Sequence, residues 1–214
     1  MFRTFRFFLT FICITTLAAT VMAQSRPQVL EAEKLLSNLG YWISKVDGVS
    51  DASTRHALIA FQKVEKRKRT GVLTAAELKA LRVASRPVPK YTGDSHIEVD
   101  ITRQVLFLVN ESGIITHILP VSTGNEQKYE LDGHWEVAHT PRGTFEISRQ
   151  IQGTRKAPLG DLYNPNYFYY GVAIHGSNSI PVYPASHGCV RIPRFADKAF
   201  QEMVRIGMKV YVYD

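Results

Sequence analysis

The apolar residues of this 214-residue chain change their period once. From Val29 to Leu81 they recur at the three-to-four-residue spacing of helices, and from Ile97 onward they alternate as in strands. One segment cannot serve both periods, so the chain must build a helical part first and a β part second. Residues 82–95 (RVASRPVPKYTGDS) lie between, with two prolines, a glycine and no periodicity. We place a helical domain at 24–84, a linker at 85–95 and a β domain at 96–214. Proline in the linker predicts an extended, semi-rigid spacer between two separately folded halves.

In the helical half, Val29, Leu30, Leu35, Leu36 and Leu39 share one helix that Gly40 ends. Asp47-Gly48 marks a turn, and Ser50 or Asp51 caps a second helix with Leu58, Phe61 and Val64 on one face. Thr74 and Glu77 form a capping box for a third, flanked by Leu73 and Leu78. A small three-helix bundle of ~60 residues buries little and suits a binding module better than an enclosed active site. The run Lys63 to Arg69 (KVEKRKR) reads as the solvated end of the second helix. It is not read as a nucleic-acid patch, because no Lys/Arg stripe interleaves with aromatics.

In the β half, Ile97, Val99 and Ile101 alternate with Glu98 and Asp100. Val105 to Val109 and Ile114 to Val121 flank a turn as a hairpin, and Gly143 to Ile151, Tyr167 to Ile174 and Met208 to Tyr213 add β-rich runs. Phe195 to Val204 is the clear helix. This pattern predicts a mostly β sandwich or partly closed barrel with one or two helices and with its chemistry on the loops. The aromatic run Tyr167 to Tyr170 is expected to be half core, its outward members facing a cleft. His134 and His139, five residues apart with no cysteine nearby, do not have the spacing of a metal site.

Arg3 and Arg6 precede an apolar stretch, Phe7 to Ala19, and Val21-Met22-Ala23 offers a signal-peptidase site, so residues 1–23 read as an export signal cut after Ala23. No later run approaches the ~20 apolar residues that span a bilayer. The mature protein is therefore expected to have no membrane span and to reside in the periplasm, the cell wall or outside the cell. Cutting there removes two of the 26 basic residues and none of the 19 acidic ones, so the net charge falls from +7 to +5. A basic surface of that size suits weak attraction to anionic wall polymers. The cut also removes Cys13, which sits behind Ile12 and does not look like a lipid-attachment cysteine, and leaves Cys189 alone. In an oxidising compartment such a cysteine is buried and inert, paired between chains, or kept because its thiolate does chemistry.

Its neighbours favour the last. The segment Gly171 to Arg194 (GVAIHGSNSIPVYPASHGCVRIPR) delivers His175 at a strand end and turns tightly through Ser186-His187-Gly188-Cys189. A cysteine nucleophile needs a base, an orienting partner for that base, and backbone donors for an oxyanion. His175 is favoured over His187 as the base, because His187, two residues from Cys189, points away in an extended segment. No acidic residue is at hand to orient His175, so the carbonyl of Gly176 is expected to do so. The amides of His187, Gly188 and Cys189 are the expected oxyanion donors, with Gly188 allowing the bend. Arg191 matches a substrate carboxylate bidentately or serves a structural ion pair. Ser186 is a turn-stabilising hydroxyl or a substrate contact, and Tyr183 is a candidate substrate contact.

These motifs carry two resemblances. LGYWISKVDG (Leu39 to Gly48), TRHALIAFQ (Thr54 to Gln62) and TGVLTAAELKAL (Thr70 to Leu81) resemble the peptidoglycan-binding domain type 1 family. His175-Gly176 with Ser186-His187-Gly188-Cys189-Val190-Arg191 looks like the signature of the L,D-transpeptidase (YkuD-like) catalytic domain. VDITRQVLFLVN, PVSTG and TPRGTFEI support it from Val99 to Ile147. The resemblance implies a peptidoglycan enzyme needing no cofactor. Its Cys189 attacks a tetrapeptide stem, releases D-alanine and forms a thioester, which passes to an amine and most simply gives a 3→3 crosslink. It also implies stem peptides and glycan as partners, with Ser186 and Arg191 shaping the stem-peptide site. Hydrolysis by the same pair, or a non-catalytic wall-binding protein, are the other readings.

Overall fold

The computed structural model describes residues 24–214; the expected export signal and Cys13 lie outside them. Three helices open the chain: α1 (Arg26–Asn38), α2 (Ala52–Val64) and α3 (Ala75–Val83). Their ends are chemically specified. Ser25 and Gln28 cap α1 reciprocally, Asp51 accepts from the Thr54 N–H at 2.9 Å, and Thr74 accepts from the Glu77 N–H at 3.1 Å. The Glu77 carboxylate does not return to close a capping box; it binds Arg67 at 2.9 Å. Between α1 and α2 the buried Glu33 holds the loop, accepting from the N–H groups of Asp47 and Gly48 and from the Thr54 hydroxyl.

The strands are β1 (His96–Asp100), β2 (Val105–Val109), β3 (Ile115–Pro120), β4 (Lys128–Leu131), β5 (His134–Val137), β6 (Gly143–Glu146), β7 (Arg149–Gln150), β8 (Thr154–Ala157), β9 (Gly160–Tyr169), β10 (Val172–Ser177), β11 (Val190–Pro193) and β12 (Lys209–Tyr213); α4 (Asp197–Met203) precedes the last. They form a sandwich. One sheet runs β3-β2-β1-β12-β6, the other β11-β10-β9-β7 with β8 beside β9, and β4-β5 is a separate hairpin. The core between the sheets takes Ile97, Val99, Leu106, Leu108, Phe168, Ile174, Val190, Val210 and, from α4, Phe200.

Several expectations are corrected here. The halves do not keep separate cores. Leu106 and Leu108 of β2 face the sandwich core, whereas Val105, Phe107 and Val109 turn to the other side. There they join Ile115 and Ile118 in one cluster with Leu36, Leu58, Phe61, Leu78 and Leu81 of the helices. The helices therefore spread over the outer face of the first sheet instead of closing on themselves as a free-standing bundle. Main-chain bonds reinforce the joint: Ile118 N–H donates to the Gly40 carbonyl at 2.7 Å and Trp42 N–H to the Ile118 carbonyl at 3.0 Å.

Nor is the linker a free spacer. Arg86 donates to the carbonyls of Ile115 and Asn38, Tyr91 stacks on Tyr211 with ring centroids 4.1 Å apart, and the N–H groups of Lys90 and Tyr91 donate to Glu98. Glu98, which alternates with the apolar residues of β1, is itself fully buried and takes a further bond from the Tyr213 hydroxyl. The run Tyr167 to Ile174 is two strands, broken at Tyr170 and Gly171, where Tyr170 has φ +34°.

The basic run is a solvated helix end only in part: Glu65, Lys66 and Lys68 are exposed, but Lys63, Arg67 and Arg69 are engaged. Arg67 binds Glu77, Arg69 donates to the Val182 carbonyl at 2.9 Å, and Lys63 is 1% exposed, its ammonium donating to the carbonyls of Gln104 and Val121 at 2.9 Å each. Burial, aided by the nearby Arg69 charge, pushes the Lys63 ammonium down to about 7. Between pH 7 and the ordinary lysine value the unfolded chain then holds a proton that the folded chain lacks, so folded stability rises with pH across that window. Wild type should gain on Lys63→Met by about 1.4 kcal/mol per pH unit above pH 7, with no change in their difference below it, read from urea unfolding at pH 6 to 9.5.

Candidate active site

Strand alternation sorts the residues of β10 and β11. The two strands pair in parallel with Ile174 opposite Val190 and His175 opposite Arg191. Ile174, Val190 and Ile192 point into the sandwich core, so their neighbours His175 and Arg191 point away from it. Cys189, two residues before Arg191, joins them on the outer face. All three line one cavity of about 710 Å³. Tyr129, Leu131 and Glu136 of the β4-β5 hairpin line it too, as do Leu159, Asp161 and Tyr170.

The turn that presents Cys189 is closed by side chains. Ser186 Oγ donates to the Cys189 carbonyl at 2.6 Å and accepts from the Gly188 N–H at 3.0 Å. Gly188 has φ +134°, and a Cβ there would stand 2.9 Å from the His139 carbonyl oxygen, so both its conformation and its space require glycine. Thr140 Oγ1 donates to the Gly188 carbonyl at 2.7 Å and accepts from the Gly124 N–H at 2.8 Å. Residues 122–125 support the turn from outside. Ser122 and Arg191 exchange both main-chain bonds, and the N–H groups of Ala185 and Ser186 donate to the Thr123 carbonyl at 2.9 Å.

The electrostatics follow from these positions. Burial pushes the Cys189 thiol up, partly offset by the Ala173 N–H, 3.5 Å from the sulfur, and by the Arg191 charge. Burial holds the His175 imidazole down to about 4, against the pull of the Gly176 carbonyl 2.8 Å from Nδ1. A carbonyl only accepts, so Nδ1 carries the proton and Nε2 keeps a free lone pair. At neutral pH the pair is a thiol and a neutral imidazole. Burial also lowers the Arg191 guanidinium, and among the described residues no carboxylate pairs with it. It is a cation facing a cavity, without the structural ion pair that was the other reading.

Three expected contributions fall differently. The Gly188 amide is spent on Ser186, which leaves the N–H groups of Cys189 and His187 as the donors of this turn free of partners among the described residues. Ser186 lines the cavity, but its hydroxyl is buried and engaged within the turn as a clamp. Tyr183 is 60% exposed and does not line the cavity; its carbonyl accepts from the Ser122 hydroxyl. Tyr129, whose ring meets His187 edge-on at 4.7 Å, and Glu136 were missed. A signal for them existed: Asp132-Gly133 has φ +50° and +79°, the two-residue turn that Asp-Gly favours between alternating strands. Among the described residues no three His, Cys, Asp or Glu side chains gather as a metal site, and no helix is long and apolar enough to cross a membrane.

Replacing Ser186 by Ala leaves a main-chain carbonyl and a buried N–H without their partner. Ser186→Ala should lose about 1–3 kcal/mol of unfolding free energy in a urea titration.

The family model of the L,D-transpeptidase catalytic domain (YkuD) matches residues 94–212, and that of a peptidoglycan binding domain matches residues 25–81. Among solved structures, an L,D-transpeptidase from Xylanimonas cellulosilytica is 39% identical, with a TM-score of 0.83 over 87% of this chain and 93% of that one. That coverage takes in the helices as well as the sandwich. An L,D-transpeptidase (Yku) from Stackebrandtia nassauensis, 22% identical with a TM-score of 0.51 over 86% and 90% of the two chains, shares the fold. No curated protein matches. A catalytic-domain model spanning more than half the sequence, on a sandwich that presents Ser-His-Gly-Cys beside a strand-borne histidine, places this chain in the L,D-transpeptidase (YkuD) family.

Proposed function

We propose that the chain is a peptidoglycan L,D-transpeptidase working outside the cytoplasmic membrane, with Cys189 as nucleophile and His175 as acid and base. The observation that carries this reading is the convergence of Cys189, His175 and Arg191 on one face of one cavity. Nε2 of His175 takes the thiol proton as Sγ bonds to the carbonyl carbon of the third stem residue. The carbonyl oxygen gathers negative charge, and the N–H groups of Cys189 and His187 are the donors that receive it. The C–N bond to the terminal D-alanine then breaks, the leaving amine takes the proton from Nε2, and a thioester remains. An acceptor amine attacks the thioester and gives its proton to Nε2, which returns it to the departing sulfur.

Resting the pair as neutral thiol and neutral imidazole suits this cycle, because the proton moves only when a substrate carbonyl is in place. Arg191, facing the cavity and without a carboxylate partner among the described residues, binds a stem carboxylate. When the acceptor is the diaminoacid side chain of a second stem, the product is a 3→3 crosslink. The helical half holds the wall near the site and raises the local concentration of stems.

Intact mass spectrometry with a disaccharide-tetrapeptide, and with a carbapenem as thioester trap, tests the reading. A mass increase on wild type and none on Cys189→Ala, with crosslinked dimer among the products, is the expected result. No adduct on folded, reduced wild type overturns it, and free tripeptide without dimer reassigns the acceptor to water. The His175 imidazole is neutral above about pH 4 and protonated below it, so kcat/KM should fall as pH drops through that value. Arg191→Met should raise KM about tenfold or more, measured on the tetrapeptide, since a charged hydrogen-bonded pair contributes about 1.5–3 kcal/mol.

A further inference from the structure

We propose that Lys63, on helix α2 of the wall-binding half, is a positioning residue for Cys189, and that the helical half is thereby a working part of the catalytic site. The inference rests on the transpeptidase reading above. Its physical basis is a continuous set of hydrogen bonds between two parts of the chain that the sequence presents as independent.

The Lys63 ammonium reaches across the joint to the carbonyls of Gln104 and Val121, at 2.9 Å each. Those two residues are already tied, since Val121 N–H donates to the Gln104 carbonyl. Gln104 is buried with φ +60°, and its side-chain amide reads Thr123 on both sides: Nε2 donates to Thr123 Oγ1 at 2.6 Å, and Oε1 accepts from the Thr123 N–H at 3.0 Å. The Thr123 carbonyl takes the N–H groups of Ala185 and Ser186, and Ser186 Oγ closes the turn on Cys189. Arg69, in the loop that follows α2, makes a second tie by donating to the Val182 carbonyl in the loop before Cys189.

Packing alone does not explain a lysine at this place. Its ammonium is desolvated, faces carbonyls with no carboxylate among its hydrogen-bond partners, and sits near another cation. A methionine of similar length would fill the space without that cost. What the ammonium adds is two directed bonds to the segment on which the Ser186–Cys189 turn is built. Displacing that segment by a fraction of an ångström moves the amides that receive the oxyanion, and acyl transfer is sensitive to shifts of that size.

The test separates acyl transfer, which uses the oxyanion donors, from alkylation by iodoacetamide, which needs only the sulfur and its base. In full-length Lys63→Met the rate constant for acylation of Cys189 by the tetrapeptide or carbapenem should fall at least tenfold, while the alkylation rate stays within twofold of wild type. Arg82→Met, which breaks only the exposed Arg82–Glu31 pair of the same helical half, should leave both rates unchanged. Acylation within threefold of wild type in folded Lys63→Met overturns the proposal, and so does a parallel loss of acylation and alkylation, which reports general loosening. Should Lys63→Met fail to unfold cooperatively, Arg69→Met is judged by the same two rates. A wild type that is not acylated sinks the transpeptidase reading itself; a wild type that is acylated beside an equally active Lys63→Met sinks only this inference.

Discussion

Strand β2 is five residues long and buried on both faces, and the rest of the molecule is arranged around that fact. Leu106 and Leu108 supply the sandwich core, while Val105, Phe107 and Val109 supply the floor on which the helices lie. Each such side chain contributes about 1.5–3 kcal/mol when fully removed from water, so the outer face of the first sheet is a large share of the folding free energy of both halves. About sixty residues of helix and loop bury little apolar surface by themselves, and the sheet without its helices would present valine, isoleucine and phenylalanine to solvent. Each half completes the other.

The active site depends on a smaller version of the same rule. On β10 and β11 one parity of residues belongs to the core and the other to the cavity. Ile174, Val190 and Ile192 fix the strands so that His175, Cys189 and Arg191 have no freedom to leave the cavity face. The same burial that fixes them sets their charge states, holding the imidazole neutral and the thiol protonated. The turn that presents Cys189 is held by its surroundings: the Ser186 hydroxyl, the Thr140 hydroxyl and the absent side chain of Gly188.

Much of this was legible in the sequence, and what was not had definite causes. Helical period, caps and the Asp51 and Thr74 signals located the three helices because capping is local. The hairpin of β2 and β3 was readable from its turn, and Cys189 with His175 from their spacing and neighbours. The docking of the two halves was not read, although Val105 to Val109 (VLFLV) lacks alternation, which is how a strand with two buried faces is written. The prolines at 87 and 89 pointed to a spacer because composition does not report that Arg86 and Tyr91 find partners far along the chain. Lys63 was misjudged for the same reason: its neighbours in sequence are solvated, and its partners lie 41 and 58 residues away. The β4-β5 hairpin was overlooked because its strands are short and its residues mostly exposed, so only the Asp-Gly turn announced it.

The pairing of Gly40 and Trp42 with Ile118 has a consequence beyond holding the halves together. β3 is the border of its sheet, and a bare border strand offers unpaired N–H and carbonyl groups to any other extended chain. Here the segment that follows α1 occupies the middle of that border, and the other border, β6, is only four residues long. The helical half therefore protects the sandwich from growing into neighbouring copies. A proteolytic product that keeps residues 96–214 alone would hold Cys189, His175 and Arg191 and yet be the form most prone to aggregate.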